Sequence, residues 1–172
     1  MRLRITKYDP ANRDQQGHYT KNDWISIGDI GNSYDGKIFT AADYFAMEDA
    51  YCESVKLLLQ AQKIDHLFIS RYSRTVSIPS FFTSTKFYNM RDELIRPLHL
   101  SQSWNAIEIM IRLTLREEFW CSFKGKYGTY LHFGYGFYMF YGSKRSVDLS
   151  TINFPKCIFI EENFPSPYLS AE

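Results

Sequence analysis

Acid–base chemistry near neutral pH asks first for histidine, and the chain carries four: His18, His66, His99 and His132. His132 stands between Leu131 and Phe133 in an aromatic stretch, with Glu117 and Glu118 on the element before it. Such a His–Glu couple could draw a proton from a water or a ribose hydroxyl, the chemistry of a hydrolytic or RNA-processing enzyme. The plainer reading is a strand histidine satisfied by one hydrogen bond, because the couple alone meets few of the geometric requirements of an active site. No two histidines stand at metal-ligand spacing, and H-E-x-x-H is absent.

The other chemistry-bearing types are equally scattered. Cys52, Cys121 and Cys157 are odd in number and far apart, without a C-x-x-C, which predicts reduced and mostly buried thiols. Nothing around Cys121 would lower its pKa, and there is no G-x-S-x-G. Gly28, Gly31 and Gly36 are too widely spaced for a phosphate loop, and Gly134-Tyr135-Gly136 is too short for a dinucleotide. These absences predict no metal and no cofactor. Lys124/Lys126 and Lys144/Arg145, beside aromatic strands, could grip single-stranded nucleic acid, or simply be solvated turns. Asp43, Glu48, Asp49 and Glu53 run along one helix and Glu161-Glu162 follow the last strand. Such carboxylates are either a solvated face or a surface that steers a basic partner.

Several elements would have to position these groups. Arg2–Tyr8 alternates Leu3, Ile5 and Lys7 with polar residues, a weak strand signal, and Trp24 to Ile30 reads as a short strand with a turn at Asp35-Gly36 after it. Thr40 and Asp43 form a capping-box pattern ahead of Tyr44, Met47, Tyr51, Val55, Leu58 and Leu59, which predicts a helix through Gln62. Ile64–Tyr72 reads as a buried strand and Lys86–Leu94 as a short helix. Ser103 opens a second long helix on Trp104, Ile107, Ile111 and Leu115. Glu117 and Glu118 are on the wrong side of its dipole, so it should stop near Arg116. Phe119–Phe123, a turn at Lys124-Gly125-Lys126, and Thr129–Tyr141 follow as a long hairpin arm, kinked at Gly134 and Gly136. Cys157–Ile160 is a last strand, and Pro165-Ser166-Pro167 should end the ordered fold. The expected class is α+β: a largely antiparallel sheet packed against two longer helices and one short helix. One domain should span residues 1–172, with the last few residues disordered.

Composition narrows the function. With 20 Lys+Arg against 19 Asp+Glu the net charge is +1, without the basic excess of a nucleic-acid binder. Aromatic residues reach 17%, including 13 Tyr, a type suited to half-buried positions and recognition surfaces. The start MRLRITKYDP has no signal-peptide pattern, and no apolar run approaches a membrane span, so a cytoplasmic protein is expected.

Four stretches carry a resemblance. The first runs Arg4-Ile5-Thr6-Lys7-Tyr8-Asp9-Pro10, Arg13-Asp14, Gly17-x-Tyr19 and Trp24-x-Ser26-Ile27-x-Asp29-Ile30-Gly31. The others are Leu115–Cys121, His132–Met139 and Phe159–Tyr168. Together they resemble the immunity proteins of bacterial polymorphic-toxin and contact-dependent growth inhibition systems. The resemblance implies a cytoplasmic antidote that binds the C-terminal toxin domain of a secreted effector. Those toxins are often nucleases, frequently cutting tRNA, and the antidote covers the active site or a neighbouring surface. No residue role transfers with it. The near-neutral charge departs from the acidic balance of nuclease antidotes and favours a mixed aromatic and polar interface. On that basis Glu48, Asp49, Tyr135, Tyr138, Asp148, Glu161 and Glu162 are the expected toxin-binding residues. A non-catalytic protein partner is then expected, with no direct nucleic acid and no membrane. An enzyme using His132 with Glu117 or Glu118, and an RNA-binding module, are the alternatives.

Overall fold

The structure, a computed structural model, describes residues 1–74 and 102–169. The short helix predicted over Lys86–Leu94, and His99, lie outside the described residues. Among the described residues five strands and two helices set the frame around the N-terminal strand β1 (Arg2–Thr6). A two-residue hairpin, β2 (Ser33–Tyr34) and β3 (Lys37–Ile38), precedes helix α1 (Ala41–Ala61). Strand β4 (Leu67–Arg74), helix α2 (Trp104–Leu115), β5 (Phe119–Gly125), β6 (Thr129–Phe133), β7 (Tyr138–Gly142) and β8 (Phe159–Glu162) complete it. The large sheet has the order β4-β5-β6-β7-β1-β8 and is antiparallel at every pairing, which is the predicted α+β class. Among the described residues no helix is long and apolar enough to cross a membrane.

The weak alternation at the N-terminus turns out to be an interior strand. β1 lies between β7 and β8, with Leu3 opposite Tyr141 and Ile5 opposite Met139. These four side chains are buried in one core with Leu131, Phe133, Phe119, Cys121 and Phe123 and the apolar faces of both helices. Lys7 follows the inward series. It sits between the Trp24 and Tyr8 rings, 4.1 and 4.4 Å from their centroids, and pairs with Asp23 at 2.5 Å. Burial pulls its pKa down, against the attraction of Asp23.

Both helices form where their local signals place them. The Thr40 hydroxyl accepts from the Asp43 amide at 3.2 Å, and the Asp43 carboxylate accepts from the Thr40 amide at 3.0 Å. Helix α2 ends at Arg116 in a Schellman motif: Glu117 N donates to Thr114 O at 3.0 Å and Glu118 N to Leu113 O at 3.1 Å. Its Ser103 occupies the N-cap position without a side-chain cap bond.

The acidic face of α1 requires a correction. Glu48 is 0% exposed, not solvated. Its carboxylate accepts from Arg116 Nε and Nη2, both at 2.7 Å, and from Arg112 Nη1 at 3.0 Å. Arg112 also reaches Asp49 and Glu108, each at 2.6 Å. The residue that spacing assigns to the surface is a buried clamp between α1 and α2.

Other boundaries moved for identifiable reasons. Trp24–Ile30 is no strand but a 3₁₀ turn at Ile27–Asp29, held by Ser26 and Asp29 in a capping box. β4 is an edge strand among the described residues, leaving Phe68 and Tyr72 exposed where a buried strand was predicted. The turn expected at Lys124–Lys126 falls at Lys126–Gly128, where Tyr127 and Gly128 have φ of 59° and 62°. β8 takes Glu161 and Glu162 into the strand. The Pro165–Pro167 segment does not end the fold: Ser166 is buried against the sheet.

Candidate protein-binding cleft

The predicted arm Thr129–Tyr141 is two strands, and the reversal between them builds the site. Gly134 N donates to Tyr138 O at 2.7 Å, closing a turn over residues 134–137. Gly136 and Phe137 both have φ of 63°. Glycine takes that conformation freely, whereas a bulky residue there stores about 1–3 kcal/mol of strain. Phe137 is held by what surrounds it. Its ring meets those of Trp24, Tyr51 and Tyr44 edge-on, with centroids 4.8, 5.4 and 5.9 Å away. The Tyr51 hydroxyl donates to the Phe137 carbonyl. With Phe137 anchored inward, the turn projects Tyr135 outward, 92% exposed.

Beside this turn lies a cleft of about 620 Å³. The turn residues form one wall, and Phe119 and Trp120 at the start of β5 form another. Thr114 and Leu115 in the last turn of α2, with Glu117 just beyond its C-cap, form a third wall, while Ile25 also lines the cleft, 58% exposed. The Trp120 indole N–H donates to the Phe133 carbonyl at 3.4 Å, fixing the ring along the wall. Glu117 is the one charged residue among the described residues lining the cleft. Aromatic side chains dominate its lining.

His132 is elsewhere in kind. It is 1% exposed, hydrogen-bonds Ser166 Oγ through Nδ1 at 2.7 Å, and stacks on Tyr130 at 4.8 Å. The Tyr168 ring meets it edge-on at 6.2 Å. This histidine fastens the C-terminal segment to the sheet. Glu118 is buried and Glu117 exposed, and neither His132 nor Glu118 lines the cleft. Convergence in one open pocket, which the enzymatic reading requires, is not what these three residues show. Cys52 and Cys121 are buried as predicted, and burial pushes the Cys121 thiol up to about 12, whereas Cys157 is exposed. Among the described residues no group of three His, Cys, Asp or Glu is placed to hold a metal ion.

The expected binding residues separate into three fates. Glu48 is interior, as above. Glu161 and Tyr138 come together, but around the protein's own arginines. Arg4 holds Glu161 through Nε and Nη2 at 2.6 and 2.8 Å, and its guanidinium lies 5.3 Å from the Tyr138 ring centroid. Arg13 donates to the Tyr138 hydroxyl at 3.2 Å. Asp49, Asp148, Glu162 and Tyr135 remain exposed at separate places. Asp148 caps a 3₁₀ turn by accepting from Ser150 N and Oγ at 3.0 and 2.7 Å. The basic pairs sit on adjoining turns, where Lys144 N donates to Tyr127 O at 2.9 Å. Ile25 and the cleft itself had no expectation attached. An aromatic residue between two glycines was the available signal for a turn that displays it. Comparison of the chain with protein-family models, with curated proteins and with solved structures finds no match.

Proposed function

We propose that the protein is a non-catalytic antidote. It would bind and neutralise the toxin domain of a secreted effector, of nuclease type, in the cytoplasm of the producing cell. The observation that carries the binding half is Tyr135, presented 92% exposed at the lip of an aromatic cleft with Ile25 beside it. Large rings held outward on an anchored turn lose little conformational freedom on binding, so most of their burial counts toward affinity. Interfaces concentrate their energy in such aromatic anchors. The resemblance of the sequence to immunity proteins supplies the class of partner. Asp49, Asp148 and Glu162 are exposed carboxylates that could meet a basic nuclease surface at the rim, where they would act on the association rate more than on affinity.

Co-expression with the toxin domain encoded beside this gene tests the reading. Growth should be rescued, and the two chains should co-purify 1:1 through an interface of roughly 1,600 Å². Undiminished killing with no co-purification would end the proposal.

A further inference from the structure

We propose that the cleft beside Tyr135 receives a guanidinium, an arginine side chain presented by the partner protein. This deepens the antidote reading and rests on it for the identity of the partner. Glu117 is the starting point. It occupies the first position beyond the α2 C-cap, with φ of 61°, in a Schellman motif whose usual residue there is glycine. A side chain at that position costs backbone strain, and a carboxylate adds repulsion from the negative end of the helix dipole. The position is thus doubly unfavourable for stability. Among the described residues nothing repays it: Glu117 is exposed and its side chain makes no ion pair or hydrogen bond there. Lys63 takes the same position after α1 with φ of 55°, so what sets Glu117 apart is a carboxylate placed against the helix dipole.

What surrounds Glu117 fits one kind of ligand. The carboxylate and the helix C-terminus give this end of the cleft negative potential, and Trp120 and Tyr135 line the same cleft with π faces. A cation is favoured by all three. Among protein cations the guanidinium is planar, weakly hydrated and able to stack on rings while bonding a carboxylate in a bidentate fork. An ammonium would retain its hydration and stack less well.

The test is a titration of the full chain with N-acetyl-arginine methylamide, followed by nuclear magnetic resonance at the Gly134 and Gly136 amides and the Trp120 indole. Saturable shifts at these three sites are expected, with a Kd in the range of ~1–10 mM for so small a ligand. The citrulline analogue, of the same shape without charge, should bind at least about tenfold more weakly, as should the arginine amide to Glu117→Gln. Glu117→Gly should melt at or above the wild type and lose binding. Equal binding of citrulline and arginine, unchanged affinity of Glu117→Gln, or no shifts at all would overturn the proposal. So would a Glu117→Gly variant that melts below the wild type, since Glu117 would then serve the fold. Toxin capture is scored separately on the wild-type chain. Capture without arginine-amide binding removes the guanidinium site and leaves the antidote reading; arginine-amide binding without capture does the reverse.

Discussion

Replacing Glu48 by glutamine keeps the volume and shape of the side chain and removes one charge from the interior. Both of its partners are affected. Arg112 keeps Asp49 and Glu108, each at 2.6 Å. Arg116, 3% exposed at its side chain, loses the carboxylate that accepts two of its N–H groups, because a glutamine offers one accepting oxygen and no charge. Removing one member of a buried ion pair costs about 3–5 kcal/mol, a large share of the 5–15 kcal/mol that holds a typical domain folded. In a chain of this size each kcal/mol moves the melting temperature by roughly 2–4 °C, so Glu48→Gln should melt about 6–20 °C below the wild type. Circular dichroism melts measure this directly. If Glu48→Gln melts within about 2 °C of the wild type, the clamp between α1 and α2 contributes nothing and the argument is wrong.

Three further outcomes follow from the same geometry. Gly142 lies opposite Tyr130 with the ring laid across it, so a Cβ there would collide with ring atoms; Gly142→Ala should lose about 1–3 kcal/mol in urea unfolding. Asp43 is held down to about 2 by the Lys37 ammonium, then by the Thr40 hydroxyl and amide. A depressed carboxylate stabilises the fold above its unfolded pKa of about 3.9 and loses that contribution as pH falls toward about 2. The urea midpoint of the wild type should therefore exceed that of Asp43→Asn near neutrality, and the gap should shrink through this window. Native protein treated with iodoacetamide should be alkylated at Cys157 alone among the three cysteines, with Cys52 and Cys121 modified only in denaturant, as peptide mass spectrometry would read.

The parts of this fold legible in the sequence are those fixed by neighbours in the chain. The Thr40–Asp43 box, the spacing of Tyr44, Tyr51, Val55 and Leu58, and the dipole conflict at Glu117 each involve residues within a turn or two, and each placed a helix end correctly. What failed depended on distant partners. Glu48 reads as surface until Arg116, 68 residues on, is brought against it. Glu161 reads as an acidic tail until it meets Arg4, 157 residues away. Whether Gly134-Tyr135-Gly136 kinks a strand or reverses it was decided by Phe137, whose carbonyl is bonded by Tyr51 from 86 residues earlier. The Trp24–Ile30 error was local, however. Ser26 and Asp29 are a capping pair visible in the sequence, but Ile25, Ile27 and Ile30 around them mimic a strand. Of the candidate site, the aromatic composition and Tyr135 were legible, and the cleft was not, because its walls come from five separated segments.

Under the proposed function, the protein binds a toxin domain with the face that Tyr135 dominates. Calorimetric titration of the purified neighbouring toxin domain into wild type and Tyr135→Ala tests it most directly. Because Tyr135 is 92% exposed, its truncation should leave the melting curve unchanged. A ring anchoring the interface is worth at least about 2 kcal/mol, so the account predicts 1:1 binding by the wild type and a loss of about 30-fold or more in Tyr135→Ala. No binding by the wild type, or equal affinity of the two proteins, would contradict it.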